Sequence, residues 1–179
     1  ADAFPAVPIT FLPCDHVDYG SFSRMIPHTT ITTIDRLLLP EMLPELDRMT
    51  YIDIDALVLG DVCELARTDL GGAPLAARGT RSSAVRVWRK AGNALPTDRA
   101  YELRRIMAAR HPYTVTGLNA GVLVLDLARM RRDRFSETFL PWVGRYGLND
   151  QDILIAYAGP ERVDLDPRWN SQPIKETVL

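Results

Sequence analysis

Two aspartates, Asp53 and Asp55, interrupt an otherwise apolar run, YIDIDALVLGD, over residues 51–61. In an extended strand, residues two apart project from the same face, so the pair points one way. Two carboxylates side by side at the end of a buried strand repel each other unless something positive lies between them. A divalent cation bound through oxygen satisfies both, with phosphate oxygens completing its shell. A turn with two exposed aspartates accounts for the same spacing. A second polar group opens NDQDILIAYAG, residues 149–159. Its acidic first turn suits a helix dipole, Asn149 or Asp150 can cap it, and Gly159-Pro160 stops it. That capping role accounts for Asp150 and Asp152 without any chemistry. A third group, Asn119-Ala120-Gly121, stands at the entrance of the apolar run 122–125, where a glycine lets a ligand or another backbone approach closely.

The elements that must position these groups alternate. Residues 7–12 (VPITFL) read as a strand, and residues 32–42 as a helix with Ile34, Leu37, Leu38 and Met42 inward and Thr32 or Thr33 as its cap. Pro40 and Pro44 limit that helix. Arg36 lies within it among apolar neighbours, where an arginine stem ordinarily covers the core. The 49–59 strand carries Asp53 and Asp55. A short helical stretch (62–66), a strand at 74–77 (PLAA) and a helix starting near Thr97 follow, the last with Tyr101, Leu103, Ile106 and Met107 inward. Residues 122–125 read as a strand buried on both faces, followed by a helix from about Leu127, an amphipathic stretch (FSETFLPWVGRYG), the 149–159 helix and a last strand at 162–165. Apolar strands alternating with helices specify an α/β domain with a mostly parallel sheet flanked by helices. In such folds ligands sit at the carboxyl ends of the strands, where Asp53 and Asp55 fall. The entrance of the 122–125 strand faces the same cleft if that strand runs antiparallel.

A chain of 179 residues, 46% hydrophobic and 25% charged, has the length and composition of one globular domain with a real core. A net charge of −2 points to neither a nucleic-acid partner nor a membrane surface. No apolar run is long enough to span a membrane. Cys14 and Cys63 read as buried thiols of a reducing compartment, with a single bridge as the alternative. No C-x-x-C or H-E-x-x-H suggests zinc. The stretch from Arg81 to Arg110, with Arg86, Arg89, Lys90, Arg99, Arg104 and Arg105 against Asp98 and Glu102, hints at an anionic partner.

Several of these segments together resemble glycosyltransferase family 8, the family that includes glycogenin and the bacterial lipooligosaccharide galactosyltransferases. HTTITTIDRLLLPEMLPELDRMTYIDIDALVLGDVCEL is similar to its threonine-rich lead-in, arginine helix and D-x-D strand. LNAGVLVLDLARMR resembles its N-x-G-V block, NDQDIL its D-Q-D block and RWN the element after it. The similarity runs from about Ile9 to Asn170. It implies a Rossmann-like nucleotide-diphospho-sugar transferase fold of the GT-A type, in a single domain over residues 1–179. It also implies a cytoplasmic or membrane-associated enzyme that moves a sugar, with retention, from a nucleotide sugar, most simply a UDP-sugar, to a carbohydrate, lipid-linked or protein acceptor. Asp53 and Asp55 would hold Mn²⁺ or Mg²⁺ against the diphosphate. Arg36, Asp53, Asn119, Ala120, Asp150 and Gln151 would bind the donor, with Gln151 and Asp150 as the catalytic pair. The family's opening nucleoside-binding strands and its late H-x-x-G-x-x-K-P-W motif, which carries the third metal ligand, have no match here. His16, His28 and His111 all precede Asn119. The domain is therefore expected to be incomplete at both ends, which leaves a non-catalytic sugar-nucleotide or partner-binding domain as the alternative. An apolar strand ending in D-x-D also opens haloacid-dehalogenase-type phosphohydrolases, but the only lysines, Lys90 and Lys175, stand in no matching context.

Overall fold

The structure, a computed structural model, describes residues 8–14, 31–80, 95–110 and 116–171. Its centre is strand β3 (Gly117–Asp126), whose apolar run is buried on both faces. Strand β1 (Arg48–Ile52) pairs antiparallel with one edge of β3, and strand β2 (Leu75–Thr80) antiparallel with the other. The short strand β4 (Val163–Asp164) adds parallel to β2, giving the order β1-β3-β2-β4. Three strands thus share one direction, and β3 runs against them. That reversal brings the entrance of β3, with Asn119, to the exits of β1 and β2, the condition for Asp53 and Asn119 to share a cleft.

Helices cover the sheet. Those named from here on are α1 (Leu39–Met42), α2 (Val62–Ala66), α3 (Thr97–Arg110), α4 (Leu127–Arg132), α5 (Phe135–Tyr146) and α6 (Asp150–Ala158). On one face of β3, Leu118, Ala120, Leu123 and Leu125 join a core with Met130, Phe135, Phe139 and Ile153 from α4, α5 and α6. On the other, Val122 and Val124 meet Leu65, Leu70, Ala76 and Leu165. Each large apolar side chain so buried contributes about 1.5–3 kcal/mol relative to exposure. Leu118 and Ala120 share a face with Leu123 and Leu125 although strict alternation forbids it. The cause is an irregular register: Ala77 pairs with Leu123, but the next β2 residue, Arg78, pairs with Asn119. Bulges of this kind re-aim side chains beside functional sites.

Several elements differ from their sequence expectation. The 32–42 helix is instead a 3₁₀-helix, Ile31–Leu38, continued by the single turn of α1. Ile34 and Leu37, three apart, are fully buried along it, as a three-residue turn requires. Strand β1 ends at Ile52. The chain then turns, with Ala56 N–H donating to the Asp53 carbonyl at 3.0 Å, so Asp53 and Asp55 do not share a strand face. Ile54, Leu57, Val58 and Leu59 are exposed rather than continuing the strand. Residues 8–14 carry no strand, and Ile9, Phe11 and Leu12 are exposed. Tyr101 is exposed because the buried stripe of α3 runs through Ala100, Leu103 and Met107. Cys63, on α2, is exposed and Cys14 is half-buried, so neither is the buried thiol expected from the sequence. Arg81, Arg86, Arg89 and Lys90 of the basic stretch lie outside the described residues. Among the described residues, no helix is long and apolar enough to cross a membrane.

Candidate active site

Asp53 is the first residue past β1. Its N–H donates to the Gly121 carbonyl at 2.8 Å, extending the β1–β3 ladder by one step. Its Oδ1 accepts two hydrogen bonds, from the Tyr51 hydroxyl at 2.7 Å and from Arg36 Nη2 at 2.8 Å. Oδ2 is turned towards Gly121: a Cβ added there would sit 3.0 Å from it. The same Cβ would lie 3.1 Å from Asn119 Oδ1 and 3.4 Å from Asn170 Nδ2. Only a glycine leaves those atoms room to converge.

Arg36 is the hub. Its side chain is 8% exposed, so the expectation of a stem merely covering the core gives way to a buried guanidinium. Nη1 donates to the Ala120 carbonyl at 2.8 Å. Nε lies 3.3 Å from Asp150 Oδ2, out of line for a hydrogen bond, and the guanidinium stacks 4.6 Å above the Tyr51 ring. One planar fork therefore ties together the exit of β1, the entrance of β3 and the start of α6, which an ammonium on a flexible stem does not reproduce.

The NDQD run divides by role. Asn149 caps α6 by accepting from Asp152 N–H at 2.8 Å, and the Asp152 carboxylate accepts from Asn149 N–H at 3.3 Å. These two form a capping box, so the structural reading of Asp152 holds. Asp150, although in the first turn, is buried against Arg36. Burial raises its carboxyl above the usual value, Arg36 draws it back down, and the Asp53 charge adds a smaller push upward. Gln151 Oε1 lies 3.4 Å from Ala120 N–H, a long contact. Burial, then the hydrogen bond to Asp53, pushes the Tyr51 hydroxyl up to about 12, so it remains a donor at neutral pH.

Asn119 Oδ1 accepts from Gly121 N–H at 2.8 Å and from Asn170 Nδ2 at 2.6 Å. Arg78 Nη1 in turn donates to the Asn170 carbonyl at 2.6 Å. These residues border an open cleft of about 840 Å³ at the exits of β2 and β4, lined also by Thr80, Thr116 and Asp164. Asp53 Oδ2 and the exposed Asp55 are hard oxygen donors, which suits Mn²⁺ or Mg²⁺. Among the described residues, no three His, Cys, Asp or Glu side chains group to hold a metal, and His16, His28 and His111 lie outside those residues.

Sequence reasoning missed Tyr51, Arg78 and Asn170. Tyr51 was within reach, because it precedes Asp53 by two residues and so shares its face of the strand. Asn170 stands in the RWN element and Arg78 beside the basic stretch, but neither was given a role, since their partners are distant in the chain.

This fold is that of glycosyltransferases of the GT-A type. The chain belongs to glycosyl transferase family 8, whose family model matches residues 10–176. The match places the chain among glycosyltransferases rather than phosphohydrolases. General stress protein A of Bacillus subtilis (strain 168) is 27% identical over 176 residues, covering 93% of this chain and 54% of that protein. Glucoside xylosyltransferase 1 of Gallus gallus is 29% identical over 161 residues, covering 77% of this chain and 33% of that protein. The crystal structure of the galactosyltransferase LgtC in complex with donor and acceptor sugar analogues superposes with a TM-score of 0.63 at 28% identity, covering 84% of this chain and 50% of LgtC. The chain thus spans about half the length, or less, of the relatives it matches.

Proposed function

We propose that this chain is the catalytic core of a metal-dependent glycosyltransferase that moves a sugar from a nucleotide sugar, most simply a UDP-sugar, to a hydroxyl of a carbohydrate, lipid-linked or protein acceptor with retention of configuration. The observation that carries this reading is the Arg36 hub, which gathers Asp53, the Ala120 carbonyl and Asp150 at the exit edge of the sheet. Ligands of α/β sheets bind at that edge. Asp53, through Oδ2, and Asp55 would hold Mn²⁺ or Mg²⁺, which supplies neutralisation of charge on the leaving diphosphate. Arg36 fixes the Asp53 carboxylate through Oδ1, which leaves Oδ2, on the Gly121 side, to meet the cation. Asn119 and Ala120, at the entrance of β3, line the donor pocket with Asp150 and Gln151.

The chemistry follows from what these side chains are. The bond between the anomeric carbon and the diphosphate oxygen breaks, and its electron pair leaves with the diphosphate. The acceptor oxygen attacks the same face and passes its proton to a diphosphate oxygen. A covalent glycosyl-enzyme needs a free carboxylate beneath the anomeric carbon. Gln151 is an amide and a poor nucleophile, and the Asp150 carboxylate is buried against Arg36. The Gln151 carbonyl oxygen is suited instead to stabilising a cationic sugar in the transition state.

A screen of UDP-galactose, UDP-glucose and UDP-xylose hydrolysis by the chain, with Mn²⁺ and with EDTA, tests this reading. Turnover of at least one donor that EDTA abolishes is the expected result, and no turnover of any donor contradicts catalysis. A second reading is a sugar-nucleotide-binding domain without turnover. Binding of a UDP-sugar without hydrolysis selects it.

A further inference from the structure

The amide of Asn119 is oriented from within the protein. The atom 2.8 Å from Gly121 N–H must be an acceptor, because a backbone N–H can only donate, so it is the oxygen Oδ1. The side-chain atom of Asn170 that lies 2.6 Å from that same oxygen must then be its NH₂ group. Both lone pairs of Asn119 Oδ1 are thereby used. Its Nδ2 has no partner among the described residues, and Asn119 borders the open cleft. Asn170 is itself held at two points. Its backbone has φ +61°, a left-handed conformation that asparagine, aspartate and glycine adopt far more readily than other residues. Its carbonyl accepts from Arg78 Nη1 at 2.6 Å.

We propose that Asn170 is a positioning residue that locks the Asn119 amide so that Asn119 meets the ligand as a hydrogen-bond donor alone. The ligand atom opposite it is then an acceptor, a phosphate or sugar oxygen. The geometry also gives Arg78 a part, as the clamp that keeps the left-handed turn at Asn170 in place. This role rests on the nucleotide-sugar reading of the site, because Asn170 acts only through Asn119.

Asn170→Asp tests it, because aspartate has the same shape and tolerates the same backbone conformation but cannot donate to Asn119 Oδ1. UDP-galactose binding in the presence of Mn²⁺ is measured by calorimetry for the unaltered chain, Asn170→Asp, Asn119→Ala and the double variant. The expected result is about a tenfold loss of affinity in Asn170→Asp, the scale of one hydrogen bond, and no further loss when it is added to Asn119→Ala. Additive losses in the double variant, or unchanged affinity in Asn170→Asp, overturn the positioning role while leaving the donor reading intact. Binding by Asn170→Gly as tight as that of the unaltered chain overturns it too, because glycine keeps the turn but supplies no donor. Failure of the unaltered chain to bind UDP-galactose, UDP-glucose or UDP-xylose overturns the donor reading and this role together.

Discussion

The Tyr51 hydroxyl donates to Asp53 Oδ1 at 2.7 Å, the same carboxylate oxygen that Arg36 Nη2 reaches at 2.8 Å. Two internal donors therefore occupy one oxygen and leave the other for a ligand. Tyr51→Phe removes one donor and keeps the ring under Arg36. The expected loss is about 1 kcal/mol of stability, with cation affinity reduced several-fold as Asp53 gains freedom to turn. Urea unfolding and Mn²⁺ titration check the two effects separately.

Asp150 supplies a pH signature with a definite sign. Burial holds its folded-state carboxyl above the ordinary value of 3.8, against the pull of Arg36. Below 3.8 the group is protonated in both states and costs nothing. As pH rises from there towards the raised folded value, the unfolded chain releases its proton first, so stability falls and then levels off. Asp150→Asn has no such slope. Unfolding midpoints across the acid range are expected to diverge, with the unaltered chain losing stability relative to the variant as pH rises through that window.

Gly121→Ala meets a site that cannot give way. The new Cβ lies 3.0 Å from Asp53 Oδ2 and 3.1 Å from Asn119 Oδ1, and both side chains are pinned by other partners. A destabilisation of about 1–3 kcal/mol is expected, as for other overpacked positions, together with weaker UDP-sugar binding. Chemical denaturation and calorimetry on the same variant measure both.

Gln151→Ala is expected to lower kcat by about 10²–10³ while leaving donor affinity nearly unchanged, the pattern of a group acting in the transition state. Steady-state kinetics beside UDP-sugar binding separate the two. A glycosyl group found by mass spectrometry on Asp150 or Asp152 would defeat same-face transfer.

The parts of this site that were legible in the sequence are those whose signal is local. The uninterrupted apolar run of β3 and the cap and acidic first turn of α6 announce themselves within a few residues. What the sequence could not divide was the NDQD run, in which Asn149 and Asp152 cap the helix while Asp150 crosses to Arg36. Local spacing is identical for both roles, and only the position of the 3₁₀-helix decides between them. The shared strand face of Asp53 and Asp55 failed because β1 ends at Ile52 and Asp53 already opens a turn. The shift in β3 register and the Arg78–Asn170–Asn119 chain were invisible for a related reason, since they join segments that meet only once the sheet has formed.

In the proposed function Asp53, held on one oxygen by Arg36 and Tyr51, presents the other to the cation of a bound nucleotide sugar. Asp53→Asn tests it most directly, because it keeps the shape of the side chain and its acceptor towards Arg36 while removing the charge. Calorimetric titration of UDP into the chain, with and without Mn²⁺, reads the effect without requiring turnover. Mn²⁺ is expected to strengthen UDP binding to the unaltered chain by an order of magnitude or more, about 1.4 kcal/mol for each tenfold, and to leave Asp53→Asn binding unchanged. An equal gain from Mn²⁺ in Asp53→Asn and the unaltered chain contradicts it.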